Sequence, residues 1–495
     1  MFDFSSLIDV LMRRAREEEP QGPSFTQLIV ELPAEDTLAA MIEINKALAA
    51  LNRNPRLSLK ERYQSVRSCD EKARPLTALL SKVYHGEEQI EQILPHQVMP
   101  TLLACWKELA SAYKLCLKQH AQAPSPKFEQ EAQLITLRAI IYYSEQAKWS
   151  YLRYFDAEPR LWRSLNNLYQ IAEAAGFADK MMAPYPDMAA TSVSRVYRHA
   201  LLLKLSEPER HRIEEIWMLD QLLDMWVDDI SLERVIRPRD QSFAINLDEP
   251  KPPMKLRRNM VGERYRYFDT ETLADRLAQA SVFAAQGVAT VPIMTEQLDH
   301  PRLARFLGDL SVVYSRVGQS RARRSERRLK DRPADAAIGF DVIHTLLAHG
   351  RGTSNWEPWN LLDESGNGFG AQYRSHYDDR LTIGELLALR SGDTTWLALV
   401  RRLHKSSEGN VRVGAERLAA QPAPVMLAGG SGNVPALYCA ESPHGRVLVM
   451  NLAQHEAGAL FTLASGTKRF TIKLGPALEV LPTCAICNFN VLAKD

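Results

Sequence analysis

Apolar positions recur at intervals of three and four through the first half of the chain. Leu102, Cys105, Trp106, Leu109 and Tyr113 form one such stripe, and Leu134, Leu137, Ile141 and Tyr142 another. That period is the mark of an amphipathic α-helix, which brings residues i, i+3, i+4 and i+7 onto one face. Further stretches of the same kind cover 159–175, 192–205 and 207–230, with proline-rich breaks at 121–126 and 182–186. A polar, proline-bearing link follows (237–253, taken to 269, where the helical pattern resumes), and helix is expected from about 270 to 328.

After Arg332-Pro333 the pattern changes. Ile338, Phe340, Val342 and Leu346 alternate with other residues, which predicts a strand. Short β-like runs follow at 381–389, 396–403, 411–418 and 425–428, punctuated by Gly, Asn, Asp and Ser. Their spacing predicts a small antiparallel barrel. More runs lie beyond it at 436–439, 447–452, 460–463 and 470–474, and Ser465-Gly466 reads as a hairpin turn. The expected architecture is α+β and multidomain. Helical domain(s) fill 1–236, a linker 237–269, and a helical segment ending in an arginine-rich arm 270–332. A small antiparallel β-barrel occupies 333–422 and a β-rich extension 423–495.

Length and charge narrow the function. A chain of 495 residues is too long for one ordinary domain. Its net charge of +1 gives no whole-chain field toward nucleic acid or membrane, so any attraction for polyanions is local. Between Arg316 and Arg332 it is local indeed, with eight basic residues against Glu326 and Asp331. The six cysteines are spread too thinly for a disulfide framework and suit a reducing compartment. Cys484-Ala-Ile-Cys487 lies in a strand pattern, where residues three apart face opposite ways, and no second Cys/His pair completes a metal shell. The first residues lack a signal-peptide layout and no apolar run approaches the ~20 residues of a membrane helix, so a cytoplasmic location without membrane insertion is expected.

Candidate chemistry concentrates in two places. The arginine cluster Arg321, Arg323, Arg324, Arg327, Arg328, Arg332 offers overlapping R-x-x-x-R pairs: Arg323 with Arg327, Arg324 with Arg328, and Arg328 with Arg332. Guanidinium groups clamp phosphate bidentately and stack on flat rings, whereas a solvated basic face is the plainer reading. Downstream, Asp363-Glu364-Ser365-Gly366-Asn367-Gly368 combines a carboxylate acceptor, a small hydroxyl and a glycine that lets backbone approach a ligand, though the same residues dominate ordinary turns. Trp356 and Trp359 just before this turn suit a core or interface anchor better than a ligand stack. Asp220, Asp224 and Asp228, with Asp229, form an acidic stripe that lacks the second acidic motif of a metal site. No nucleophile elbow, Walker loop or H-E-x-x-H occurs, so no catalytic residue, metal ligand or cofactor is expected.

The order of these pieces resembles the PilZ domain, the bacterial receptor module for cyclic di-GMP. That family carries R-x-x-x-R before its first strand and [DN]-x-S-x-x-G one hairpin later. Leu381-Thr-Ile-Gly384, Val400-Arg401-Arg402 and Val411-Arg-Val-Gly414 echo its later strands. The resemblance covers about 321–418. It implies that Arg323 and Arg327, or Arg324 and Arg328, grip phosphates and guanine edges. Asp363 and Ser365 would contact a guanine, and Gly368 would keep the turn open. It further implies a non-enzymatic effector whose arm orders on the ligand and whose helical region acts on an unknown protein partner, in motility, pili or surface attachment. A nucleic-acid binder using the same arm, and a ligand-free scaffold, are the rival readings.

Overall fold

The structure, a computed structural model, describes residues 36–90, 93, 95–288, 300–316, 326–349, 356–375, 381–429, 432–465 and 468–494. The chain divides into two compact units, 1–146 with 167–196, and 147–166 with 197–495.

The first unit is helical. It holds α1 (Thr37–Arg53), α2 (Leu59–His85), α3 (Pro95–Gln122) and most of α4 (Glu129–Tyr151). Local chemistry sets the ends. The Asp36 carboxylate accepts from the Ala39 amide at 2.9 Å, Ser58 and Glu61 form a reciprocal capping box, and α2 stops at Gly86, whose φ is +75°. All five stripe residues from Leu102 to Tyr113 are buried. On α4 the stripe slips by one residue: Ile135 and Ile140 are buried and Leu134 and Ile141 only partly so, because every residue from Ile135 to Ile140 is buried and no narrow face exists. A fully buried carboxylate, Asp70, accepts from the hydroxyls of Tyr113, Tyr142 and Tyr185, with Arg138 at 3.5 Å. Burial pushes this carboxyl up, against the hydrogen bonds and charge that stabilise its anion.

The second unit carries α5 (Pro159–Ala174) in part, α6 (Val193–Leu205) in most of its length, and α7 (Ile213–Trp226). The span read as a linker instead contains a three-stranded antiparallel sheet of β1 (Phe243–Asn246), β2 (Met254–Lys255) and β3 (Tyr265–Phe268), ordered β2-β1-β3. Strands of two to four residues are too short for alternation to be legible. The helices α8 (Glu271–Ala285) and α9 (His300–Tyr314) follow. The acidic stripe is paired with cations: Asp220 with Lys148 at 3.2 Å, Asp228 with Arg198 at 3.2 Å, and Asp229 with Arg276 at 2.5 Å.

Two closed six-stranded barrels complete the unit. The first comprises β4 (Arg328–Ile338), β5 (Glu357–Ser365), β6 (Gly368–Arg374), β7 (Leu386–Ser391), β8 (Thr394–Lys405) and β9 (Asn410–Ala420), in the order β4-β5-β6-β9-β8-β7. The second comprises β10 (Ala423–Gly429), β11 (Gly432–Ser442), β12 (Gly445–Asn451), β13 (Leu460–Ser465), β14 (Lys468–Val480) and β15 (Cys484–Lys494), in the order β10-β11-β12-β15-β14-β13. Counted within each barrel, the strand order is the same. The helical first half and antiparallel β-barrel C-terminal part are as the sequence patterns predict. One prediction fails locally: Phe340, Val342 and Leu346 lie on a helix, α10 (Phe340–His349), not a strand. Gly339, at φ +85°, ends β4, and Phe340, Ile343 and Leu346 then recur every third residue as a buried helical face. Ser465 pairs with Lys468 across the expected hairpin, whose Gly466 lies outside the described residues.

That face of α10 joins a continuous core with Leu386, Leu397 and Leu418 of the first barrel and Leu437, Val447 and Ile486 of the second. A separate core inside the second barrel contains Leu427, Leu448 and Ile472. Cys484 belongs to the shared core and Cys487 to the second, so the two thiols do face opposite ways. Burial raises them to about 12 and about 11, the behaviour of packing groups.

Candidate ligand cleft on the first barrel

Strand β4 starts at Arg328, so Arg327 stands at the mouth of the first barrel. Between Leu329 and Arg332 the strand bulges, with Asp331 at φ +43° and its carboxylate accepting from Asn360 at 2.7 Å. Two more irregularities lie nearby. On β5 the register jumps between Leu361 and Asp363, and on β8 between Val400 and Arg402. A bulge re-aims side chains that regular alternation would send to opposite faces. Here Leu362 and Asp363 both reach one cleft, as do Arg401 and Arg402.

The cleft holds about 740 Å³, within the range of small-molecule sites. Glycines form part of its floor. Gly370 of β6 pairs with Gly414 of β9, and Gly368 lies two residues before Gly370. A Cβ on Gly370 would stand 2.9 Å from the Asp363 carboxylate, one on Gly414 3.1 Å from the Arg402 Cβ, and one on Gly368 2.2 Å from the Ala415 carbonyl oxygen. The glycines therefore let Asp363 and Arg402 lie close against the sheet.

Charges ring this floor. Arg327 donates to Asp363 at 2.9 Å. Arg401 is held by Glu416 at 2.8 Å and by Glu479 of the second barrel at 2.7 Å. Arg402 meets Glu209 at 2.6 Å, and His404 meets Asp156 at 2.7 Å. The His404 hydrogen bond leads the Lys204 charge, against burial, in holding the Asp156 carboxyl far below its ordinary range. Arg412 differs. It touches the Gln372 side-chain oxygen at 3.3 Å and has no carboxylate partner among the described residues, so its charge is open to an anion.

Of the residues singled out from sequence, Arg327, Asp363, Ser365 and Gly368 come together in the cleft. Arg328 does not line it. It follows Arg327 in the chain and lies opposite Glu364 in register. Arg323 and Arg324 lie outside the described residues. Trp356 lies under the Arg390 guanidinium, and Trp359 is buried and stacked on Tyr373 at 4.4 Å, so both serve packing. Sequence reasoning assigned no ligand role to Arg401, Arg402, His404 and Arg412, which only the bulge and the strand pairing bring to the rim. It also missed a legible repeat. The second hairpin of the second barrel reads Ala440-Glu441-Ser442-Pro443-His444-Gly445, the same Glu-Ser-x-x-Gly without the aspartate.

Residues 23–239 match the model of a family described as the cyclic-di-GMP receptor FimW, N-terminal domain. The match supports a place in a cyclic di-GMP receptor family. It covers under half of the 495 residues and ends before the barrels, so the PilZ resemblance stands on its own residues. No curated protein matches the chain. No helix among the described residues is long and apolar enough to cross a membrane.

Proposed function

We propose that the protein is a non-enzymatic cyclic di-GMP receptor whose ligand lies in the cleft of the first barrel. The single observation that carries this reading is the meeting of Asp363 with Arg327 over the glycine floor. A carboxylate is a fitting acceptor for the two donors on a guanine's Watson–Crick edge, and a guanidinium binds phosphate bidentately. Gly370 and Gly414 keep the Asp363 and Arg402 side chains low on the sheet, which suits the approach of a flat base above them. Arg327 at the rim favours the Arg323/Arg327 register over Arg324/Arg328. Arg412 supplies a further cation for the second phosphate. Ser365, whose hydroxyl donates to the Gly368 carbonyl at 3.3 Å, holds the turn.

Binding then exchanges partners. Ligand phosphates take Arg327 from Asp363, which turns to the guanine. They also compete with Glu209 and Asp156 for Arg402 and His404. Because β8 pairs through Lys405 with the 154–155 backbone, that competition is felt by helical elements of the same unit. Such a local change of charge pairing is the usual start of an order–disorder switch, here centred on the arginine arm. The output is a protein partner acted on by the helical region, in motility, pili or surface attachment.

Isothermal titration with cyclic di-GMP tests the reading. Wild type should bind at micromolar concentration or tighter. Arg327→Ala and Asp363→Ala should each weaken binding about 10- to 100-fold, while Arg328→Ala stays near wild type. Silence of the wild type ends the claim, and loss on Arg328→Ala with none on Arg327→Ala reverses the register. Hydrogen exchange across 316–333 should slow with ligand, and unchanged exchange there excludes arm ordering.

A further inference from the structure

A second cleft lies beside the small sheet of the second unit and holds about 590 Å³. Ile236, Pro238, Leu256 and Val261 give it apolar walls, and Arg239, Arg257, Arg258 and Arg316 surround them. The first cleft mixes both signs of charge, whereas no carboxylate side chain lines this one. Arg316 is tied down. It pairs with Asp269 at 3.1 Å and donates to the backbone carbonyls of Arg239 at 3.2 Å and Asp240 at 2.9 Å. Arg239, Arg257 and Arg258 are exposed residues and have no ion-pair partner among the described residues. Unpaired like charges converging on one cleft repel one another, and an anion relieves that cost.

The walls say what kind of anion. Val261, which lines the cleft, is 59% exposed, and Val235, next in the chain to the wall residue Ile236, is 70% exposed. A lone exposed valine is ordinary. Two of them beside unpaired guanidinium groups combine a cationic face with apolar tips. A small soluble anion gains nothing from those tips. An anionic bilayer uses both, because its phosphates meet the arginines and its headgroup layer accepts the valines.

We propose that this cleft docks anionic phospholipid headgroups, making the protein a peripheral membrane binder through a surface separate from the first-barrel cleft. With a net charge of +1 over the whole chain, such attraction arises from this patch and not from a global field.

Co-sedimentation of the full chain with vesicles is the test, and it does not depend on the cyclic di-GMP reading. Vesicles of phosphatidylglycerol and phosphatidylethanolamine should carry the protein down at low salt, and vesicles of phosphatidylcholine alone should not. The double variant Arg257→Glu, Arg258→Glu should lower the partition coefficient on the order of 20-fold or more, at about fivefold for each charge removed. Val261→Asp should lower it as well. Unchanged thermal melting of both variants shows that the loss is not unfolding. The proposal is overturned by absence of binding to the anionic vesicles, by equal binding to neutral ones, or by indifference to the double reversal. Complete displacement by millimolar inorganic phosphate would also overturn it and assign the cleft to free phosphate.

Discussion

The two barrels share a strand order, and their second hairpins share a turn but not its charges. In the first, Ser365 donates to the Gly368 carbonyl at 3.3 Å, and in the second, Ser442 donates to the Gly445 carbonyl at 2.7 Å. Both hairpins close with that serine opposite that glycine in register. The first places Asp363 two residues before the serine, and the second places Ala440. The first is preceded by the arginine cluster, whereas no lysine or arginine falls between Arg417 and Arg446 at the entrance to the second. Serine and glycine therefore belong to the turn, which a barrel keeps whether or not it has an arm. Aspartate and arginine are what distinguish the first barrel. On the proposed reading, the motif mixes residues that build a loop with residues that meet a ligand, and a second copy of the fold separates them.

The largest test of this contrast is Asp363→Ala, which gives the first hairpin the residue of the second. Loss of a charged acceptor should weaken cyclic di-GMP about 10- to 100-fold by titration, with the melting temperature little changed. Equal affinity would mean that the aspartate is not the distinguishing group. Next comes Gly368→Ala against Gly445→Ala. The first sets a methyl 2.2 Å from a backbone carbonyl and should cost about 2 kcal/mol in denaturant unfolding. The second meets open space at φ +81° and should cost about 1 kcal/mol. A reversed ranking would sink the steric account. Glu479→Gln should have a smaller effect, because Arg401 keeps Glu416. A drop of a few-fold in ligand affinity is expected, with no change if the second barrel does not position that arginine. The least effect belongs to Ala440→Asp. Restoring the carboxylate without an arm should leave the number of ligands bound unchanged.

The arrangement of elements was readable where periods are clean, as in the 102–113 stripe and in the strands from β7 onward, whereas β5 and β6 were seen only as the turn between them and β4 begins inside the span read as helix and arm. It was not readable where two periods agree over few residues. Phe340 and Val342 satisfy alternation, while Phe340, Ile343 and Leu346 satisfy a helix, and only the chain reversal at Gly339 decides between them. The site divides the same way. Asp363, Ser365 and Gly368 are contiguous, so spacing finds them. Arg401, Arg402 and Arg412 reach the rim through a bulge and a strand pairing 10 or so residues apart, which no local window records. Arg327 could be named, but only its place before β4 separates it from Arg328.

The core that runs from α10 into both barrels bears on how the first barrel can be isolated. A fragment ending near Gln421 would bare Leu386, Leu397 and Leu418 to water along the seam where Leu437, Val447 and Ile486 had covered them. Such a piece should aggregate, not report on the ligand. Whoever wishes to study the first barrel alone must either carry the second along or repaint that seam with polar residues.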